Sequence, residues 1–488
     1  MKKKALNTEA LREEKFKRMT AEPVEKLILK LAFPTIISML VTTFYNMADT
    51  YFVGKIGAGE SAEVMSLMQT RAQAAVGVVM SLMAIIQAFG FFFGHGSGNF
   101  ISRALGQHDE KSAERVASSG FWYAMITGCA ILLFGWIFAD RLALLLGATR
   151  DFLDYTVDYM RIILIGTPIT MASLVLNNQI RFQGNATYAM VGISAGAVLN
   201  VGLDALFILA WGMEVTGAGL ATIIGQTVSF ILLFVGTEKS DCIKIRLKNV
   251  RFNKSTVGEI CRGGLPSLGR QGLTSVSTAC LNHMAGIYGA AAYPAIATAA
   301  TSAVAAMTVV SRIMMFAAST LIGFGQGFQP VCGFNYGAGL YSRVTKSFWF
   351  CVKVAVGFIL VIAVPAYIFS GNILSLFRGN DPIALEIGIK AMRWQIITFP
   401  VMTWVVMSNM MLQTMGRVFS ATVLSVSRNG LSFIPAVLIL PFVLGLNGVL
   451  LAQPVADIVA LLMAIPFTIK VLKELSQGDK PANLGQPR

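Results

Sequence analysis

Residues 31–53 read Leu-Ala-Phe-Pro-Thr-Ile-Ile-Ser-Met-Leu-Val-Thr-Thr-Phe-Tyr-Asn-Met-Ala-Asp-Thr-Tyr-Phe-Val. This run is long enough to cross the hydrocarbon core of a bilayer as a helix. Two residues interrupt its apolar character in informative ways. Pro34 removes one backbone hydrogen bond and predicts a kink or hinge. Asp49 places a carboxylate at membrane depth, which costs a few kcal/mol on insertion scales and is rarely kept without a task.

The rest of the 488-residue chain has the same character. It is 55% hydrophobic with a mean hydropathy of +0.66, and only 13% of its residues are charged, about half the share of a soluble domain. Hydropathy and turn residues predict twelve spans: 27–53, 66–94, 117–140, 157–180, 187–211, 217–237, 258–287, 294–324, 347–370, 390–414, 419–443 and 447–470. The implied class is an all-α polytopic membrane protein, since only helices or closed barrels satisfy their backbone groups in lipid.

The net charge of +14 is unevenly distributed. Basic residues precede or open the first span (Lys2, Lys3, Lys4, Arg12, Lys15, Lys17, Arg18, Lys26, Lys30). They also fill one central loop (Lys239, Lys244, Arg246, Lys248, Arg251, Lys254) and close the chain (Lys470, Lys473, Lys480, Arg488). By the positive-inside rule, this places both termini and the central loop in the cytoplasm. Anionic lipid, not nucleic acid, is the partner such clusters imply. The N-terminal stretch lacks a signal-peptide core and cleavage site, so the first span is expected to remain as a signal-anchor. The six cysteines, Cys242 among them, form no C-x-x-C pair, and the three histidines are dispersed. Neither a disulfide framework, a zinc site nor any other cofactor is expected.

The chain repeats itself at one constant offset. Phe33-Pro34 recurs as Leu265-Pro266 (266 − 34 = 232), and the same offset relates Pro168 to Pro400, Met160-Arg161 to Met392-Arg393, Asn177 to Asn409 and Gly184 to Gly416. The glycine-rich turn Gly94-His95-Gly96…Gly106 recurs as Gly325-Gln326-Gly327…Gly337 at an offset smaller by one. The division is a cytoplasmic segment 1–26, an N-lobe 27–237, a basic linker 238–257, a C-lobe 258–470 and a tail 471–488. Six spans per half make both halves enter from the same side. They should therefore be related by a pseudo-two-fold axis along the membrane normal, with a substrate site between them.

The halves differ in their buried acids. Asn200 and Asp204, at i and i+4, share one face of the fifth span. Their counterparts are Ser432 and Ala436, and Asp49 falls on Leu281. With Asn177 and Thr222 (whose counterpart is Gln453), the N-lobe helices could gather two carboxylates, two amides and a hydroxyl. Such a set could take up and release a proton, or hold Na⁺ through the oxygens of Asp49, Asn200 and Asp204. A plainer alternative is that Asp204 bridges helices through Asn200. Tyr45 and Asn46, one turn before Asp49, would face a substrate cavity. In the second half, Arg270, Arg312 and Arg428 lie within spans with Asp457. They form either an Arg–Asp457 bridge, a snorkelling set, or a basic wall (with Gln271 beside Arg270) for an anionic or zwitterionic substrate.

These residues resemble those of multidrug and toxic compound extrusion (MATE) transporters, in the branch of bacterial multidrug pumps. The likeness rests on Phe33-Pro34 with Tyr45-Asn46-x-x-Asp49-x-x-Phe52-Val53-Gly54, then Ser102-Arg103-x-Leu105-Gly106 and Arg181-Phe182-Gln183-Gly184-Asn185. It continues through Leu199-Asn200-x-x-x-Asp204-x-x-Phe207-Ile208, Gly217-Ala218-Gly219, Gln326-Gly327-Phe328-Gln329-Pro330 and Gly333-Phe334-Asn335-Tyr336-Gly337. The resemblance implies two six-helix bundles forming a V in the cytoplasmic membrane. It also implies antiport of a small organic, cationic or amphipathic substrate against H⁺ or Na⁺, by a monomer without enzymatic activity. By the same resemblance, Asp49, Asn177 (or neighbouring Asn178), Asn200, Asp204 and Thr222 form an N-lobe cation site. This chain departs from those relatives that carry a second acidic site in the C-lobe: its seventh span offers Arg270 and Gln271 and its tenth has no acid. The alternative is an exporter or flippase of an anionic or lipid-linked substrate using C-lobe arginines. No H-E-x-x-H or G-x-S-x-G motif supports an intramembrane enzyme.

Overall fold

The computed structural model describes residues 2–56, 62–239, 243–378 and 381–478. Cys242, Lys480 and Arg488 lie outside them. An N-terminal helix α1 (Lys2–Ala21) precedes α2 (Val24–Val53), α3 (Ala62–Gly106), α4 (Glu110–Ile137), the short α5 (Ala139–Leu145), α6 (Leu153–Phe182), α7 (Ala186–Asp204) and α8 (Glu214–Lys239). The second half runs through α9 (Lys254–Ala292), α10 (Ala299–Gly337), α11 (Tyr341–Ile368), the short α12 (Ser370–Arg378), α13 (Pro382–Thr414), α14 (Val418–Val426), α15 (Phe433–Leu444) and α16 (Leu446–Leu475). Single π-helical segments continue α7 (Ala205–Ala210) and join α14 to α15 (Ser427–Leu431). Among the described residues, eleven segments are long and apolar enough to cross a membrane. The twelfth crossing is α9. It has the length but carries Glu259, Arg262, Arg270 and His283 along with many Ser, Thr and Gly residues.

Local chemistry sets the helix ends. Asp109, Asn253 and Asp381 each accept a backbone N–H three residues on, at 3.0–3.1 Å, and so satisfy donors that would otherwise be orphaned in the first turns of α4, α9 and α13. Gly184 and Gly416 end α6 and α13 at φ +84° and +78°. An L side chain is disfavoured there, so the repeated glycine terminates the same helix in both halves. Pro34 does not interrupt α2, which stays helical from Val24 to Val53. The hydroxyls of Ser38 and Thr35 bond carbonyls in the same turns, at 3.1 Å to Pro34 and 2.9 Å to Ala32.

Helix pairing confirms the two-fold relation. The repeat offset carries α2 onto α9 and α3 onto α10, and the lobes meet where α2 packs on α10 and α3 on α9. The second contact is thus the first one repeated. The glycine-rich stretches around Gly94 and Gly325, expected as turns, are instead helical ends of α3 and α10. Their glycines serve close packing between lobes. A Cβ on Gly323 would sit 2.7 Å from the Ile36 backbone, and one on Gly263 would sit 2.9 Å from the Gly96 carbonyl oxygen.

The N-terminal segment bridges the lobes. Arg12 pairs with Glu110 of the N-lobe, the fully buried Met19 packs beside Gly184, and Asn335 of α10 donates to the Met19 carbonyl at 3.1 Å. The linker is tied to the N-lobe: the Ile243 N–H donates to Gln183 at 2.7 Å, and those of Arg246 and Arg251 donate to Ser118 and Ser119 at 3.1 Å.

Candidate functional site

A cavity opens inside the N-lobe, walled by α2, α3, α6, α7 and α8, with Gln326 of α10 also lining it. On each helix the lining positions recur every three or four residues: Thr35, Ser38, Thr42 and Tyr45 on α2, Thr170, Asn177 and Arg181 on α6, and Ala189, Ile193, Gly196 and Asn200 on α7. Eleven residues of α7 at 1.5 Å each make the chamber roughly 16 Å long. Tyr45, Asn200 and Thr222 mark its outer end. Asp49 and Asp204 come one helical turn beyond Tyr45 and Asn200.

Asp204 is fully buried, and neither of its carboxylate oxygens meets a protein donor. Asp49 Oδ1 and Asn200 Oδ1 are likewise buried and unpartnered. The two carboxylates are carried by α2 and α7, which pack against each other. Asn200 donates to Thr222 Oγ1 at 3.5 Å, and Thr222 donates to the Ala218 carbonyl at 2.9 Å, which orients the amide with its oxygen free. Among the described residues no basic side chain pairs with either acid. Four buried acceptor oxygens without donors, carried by the packed helices α2 and α7, are unfavourable by themselves. Their chemistry fits a proton or a hard monovalent cation.

The structure does not bring Asn177 to this cluster. Its amide donates to the Ala189 carbonyl at 2.9 Å, eleven residues and therefore roughly 16 Å from Asn200 along α7. In the C-lobe, its counterpart Asn409 donates to the Ala421 carbonyl at 2.7 Å, the same bond in the repeat. A contact repeated in both lobes is a helix-to-helix tie.

The C-lobe positions are occupied differently. Arg428 Nε donates to Asp457 Oδ1 at 2.8 Å, and Gln453 donates to the same oxygen at 2.9 Å, so this acid is neutralised internally. Arg312 is exposed. Asn46 is half-buried beside Tyr45, whereas Arg270, Gln271 and Arg428 do not line the N-lobe cavity.

The sequence reading missed a polar chain across the lobe interface. Arg181 Nη2 donates to Asn178 Oδ1 at 2.6 Å and lies 3.3 Å from His95 Nε2, whose Nδ1 is 3.2 Å from Ser267 Oγ on α9. Gln413 of α13 donates to Ser267 at 2.8 Å. Because a guanidinium only donates, His95 Nε2 must accept and Nδ1 carry the proton. The available signal was Arg181 itself, an arginine ending an apolar helix.

The fold is thus that of a two-lobed, twelve-helix membrane transporter with one lobe carrying uncompensated acids. The chain belongs to the MatE family, whose pattern matches residues 34–206 and 274–438. It is similar to the multidrug export protein MepA of Staphylococcus haemolyticus, with 24% identity over 458 residues covering 93% of this chain and 95% of the relative. MepA of Staphylococcus aureus strain NCTC 8325 is 24% identical over 460 residues, covering 93% and 96%. Among solved structures, a MATE transporter in complex with MaL6 superposes with a TM-score of 0.85 at 24% identity, covering 95% of this chain and 99% of that one. An outward-facing multidrug resistance MATE transporter superposes at 0.84 and 24% identity, covering 94% and 98%.

Proposed function

We propose that this protein exports organic compounds across the cytoplasmic membrane by alternating access, in exchange for inward movement of H⁺ or Na⁺. The observation that carries the reading is the unpartnered oxygens of Asp49, Asn200 and Asp204 in the N-lobe, set against the internally neutralised Asp457 of the C-lobe. The multidrug export function named for its staphylococcal relatives is consistent with it.

In the inward-facing state, substrate enters the cavity while the acids are ionised. After the lobes rock outward, H⁺ or Na⁺ from outside binds Asp49 and Asp204, with Asn200 oriented by Thr222. Neutralising two buried charges changes how α2 packs on α7, and Pro34, where one helical bond is missing, is the point at which α2 can bend and shrink the cavity. Coupling of this kind is a reciprocal linkage, typically about 1–3 kcal/mol between the two ligands. Both termini and the linker face the cytoplasm in this scheme, as their basic clusters require.

The test is uptake of a chemically varied dye panel into proteoliposomes, with pH and sodium gradients imposed separately. Asp204→Asn should abolish gradient-driven movement while leaving exchange down the substrate's own gradient. Gradient-driven transport undiminished in that variant refutes the role given to Asp204. A second reading, transport of an anionic compound, is favoured by Arg181 at the end of the cavity opposite the acids.

A further inference from the structure

The end of the N-lobe cavity opposite the acids is cationic. Arg181 is only 2% exposed and lines the chamber, yet its Nε and Nη1 groups are buried and meet no acceptor. Its other nitrogen, Nη2, is held by Asn178 and His95, so the fork is fixed with three N–H bonds unused. Among the described residues, no carboxylate pairs with it. His95, which lies between Arg181 and Ser267, is constrained to the neutral form and supplies no compensating charge.

A buried cation without a counter-charge is costly unless an anion joins it. A planar guanidinium with free N–H groups matches the paired oxygens of a carboxylate or phosphate. Gln326, Thr35 and Ser38 add polar groups around this end, and Phe91, Leu174 and Ile193 form an apolar wall beyond it. The pseudo-equivalent of Arg181 is Gln413, whose amide is already engaged with Ser267 and the Gly263 carbonyl at 2.8 Å. The cationic end is therefore particular to the N-lobe.

We propose that Arg181 binds the anionic head group of the substrate, a carboxylate or phosphate on an aromatic or aliphatic body. The inference rests on the transport reading above but concerns the opposite end of the cavity from the acids. Fifteen residues of α7 separate Asp204 from the level of Ala189, where Asn177 is tied, a rise of roughly 22 Å, and Arg181 lies one turn further along α6. A small zwitterion cannot span both, so the anion and the coupling cation occupy separate sites.

The experiment uses the full chain in phosphatidylcholine nanodiscs with a matched probe pair, rhodamine B, which carries a free carboxylate, and its ethyl ester. Fluorescence anisotropy should give about tenfold tighter binding of the acid to wild type. Arg181→Gln, which installs the residue found at the pseudo-equivalent position, should erase that preference while leaving ester binding within about twofold. Arg181→Lys, which keeps charge without the fork, should retain part of it. Benzoate should raise the melting temperature of wild type more than benzamide does, and not that of Arg181→Gln. Nanodiscs containing phosphatidylglycerol separate the sources of the anion: weakened acid binding in wild type alone would mean that a lipid head group competes for the same guanidinium. Equal affinity of acid and ester in wild type, binding of neither with no benzoate effect, or a preference that survives Arg181→Gln overturns the proposal. Asp204→Asn should keep the acid preference while losing gradient-driven flux, so failure here and failure of the antiport reading are separable.

Discussion

Asp204→Asn separates two explanations of the buried acid by the sign of its effect on stability. If Asp204 served as a helix bridge, removing its charge would weaken the protein. The geometry points the other way. Both carboxylate oxygens are buried without donors, and one turn earlier Asn200 presents an unpartnered oxygen. An asparagine at 204 removes a buried charge, and its amide can donate to Asn200 across the i, i+4 spacing. Each unsatisfied buried polar group costs about 1–3 kcal/mol, so the variant should be more stable by about that amount. Stability and coupling should therefore move in opposite directions, as expected where a functional group is held at energetic cost. The assay is thermal unfolding in detergent at fixed ionic strength, with and without Na⁺, beside the proteoliposome measurement. A cation that binds only the folded wild type would stabilise it by about 2.7 kcal/mol at a hundred times its Kd, and that increment should vanish in the variant. A lower melting temperature for Asp204→Asn, together with undiminished coupled transport, would refute the reasoning.

Other variants probe the rest of the arrangement. Asp457→Ala should destabilise by about 3–5 kcal/mol because it strands Arg428. The double change Arg428→Met with Asp457→Leu should recover most of that loss, as read by thermal unfolding. Full stability in the single variant would exclude the bridge as a structural element. Asn177→Ala and Asn409→Ala should each cost about 1 kcal/mol by losing the same helix tie, with coupling ratios unchanged. A selective loss of cation dependence in Asn177→Ala would return that residue to the acid site. Gly323→Val should disrupt the α2–α10 packing by about 1–3 kcal/mol through overpacking, visible as earlier unfolding. A neutral result would show that the lobes do not rely on this close approach.

The acid pair was legible from the chain because depth in a membrane and repeat asymmetry are both one-dimensional properties. An apolar run has a length, and Asp49 and Asp204 either have acidic counterparts in the second half or they do not. The twelve crossings, the division into halves and the two-fold relation followed from the same counting. Glycine-rich segments were misread as turns because composition does not distinguish a helix breaker from a helix thinned for close packing. Gly263 and Gly323 became intelligible only with the opposing lobe in place.

Partnership was decided by tertiary structure. Arg428, Asp457, Asn177 and Arg181 are all polar residues in apolar helices, and hydropathy treats them alike. Three-dimensional packing pairs the first two, ties the third to α7, and leaves the fourth facing a cavity with two of its nitrogens unpartnered. Hydrogen bonds and ion pairs act over about 3 Å between residues far apart in sequence. The chain order therefore determined which groups are buried in the bilayer, and only the folded lobes decided which of them remain unsatisfied.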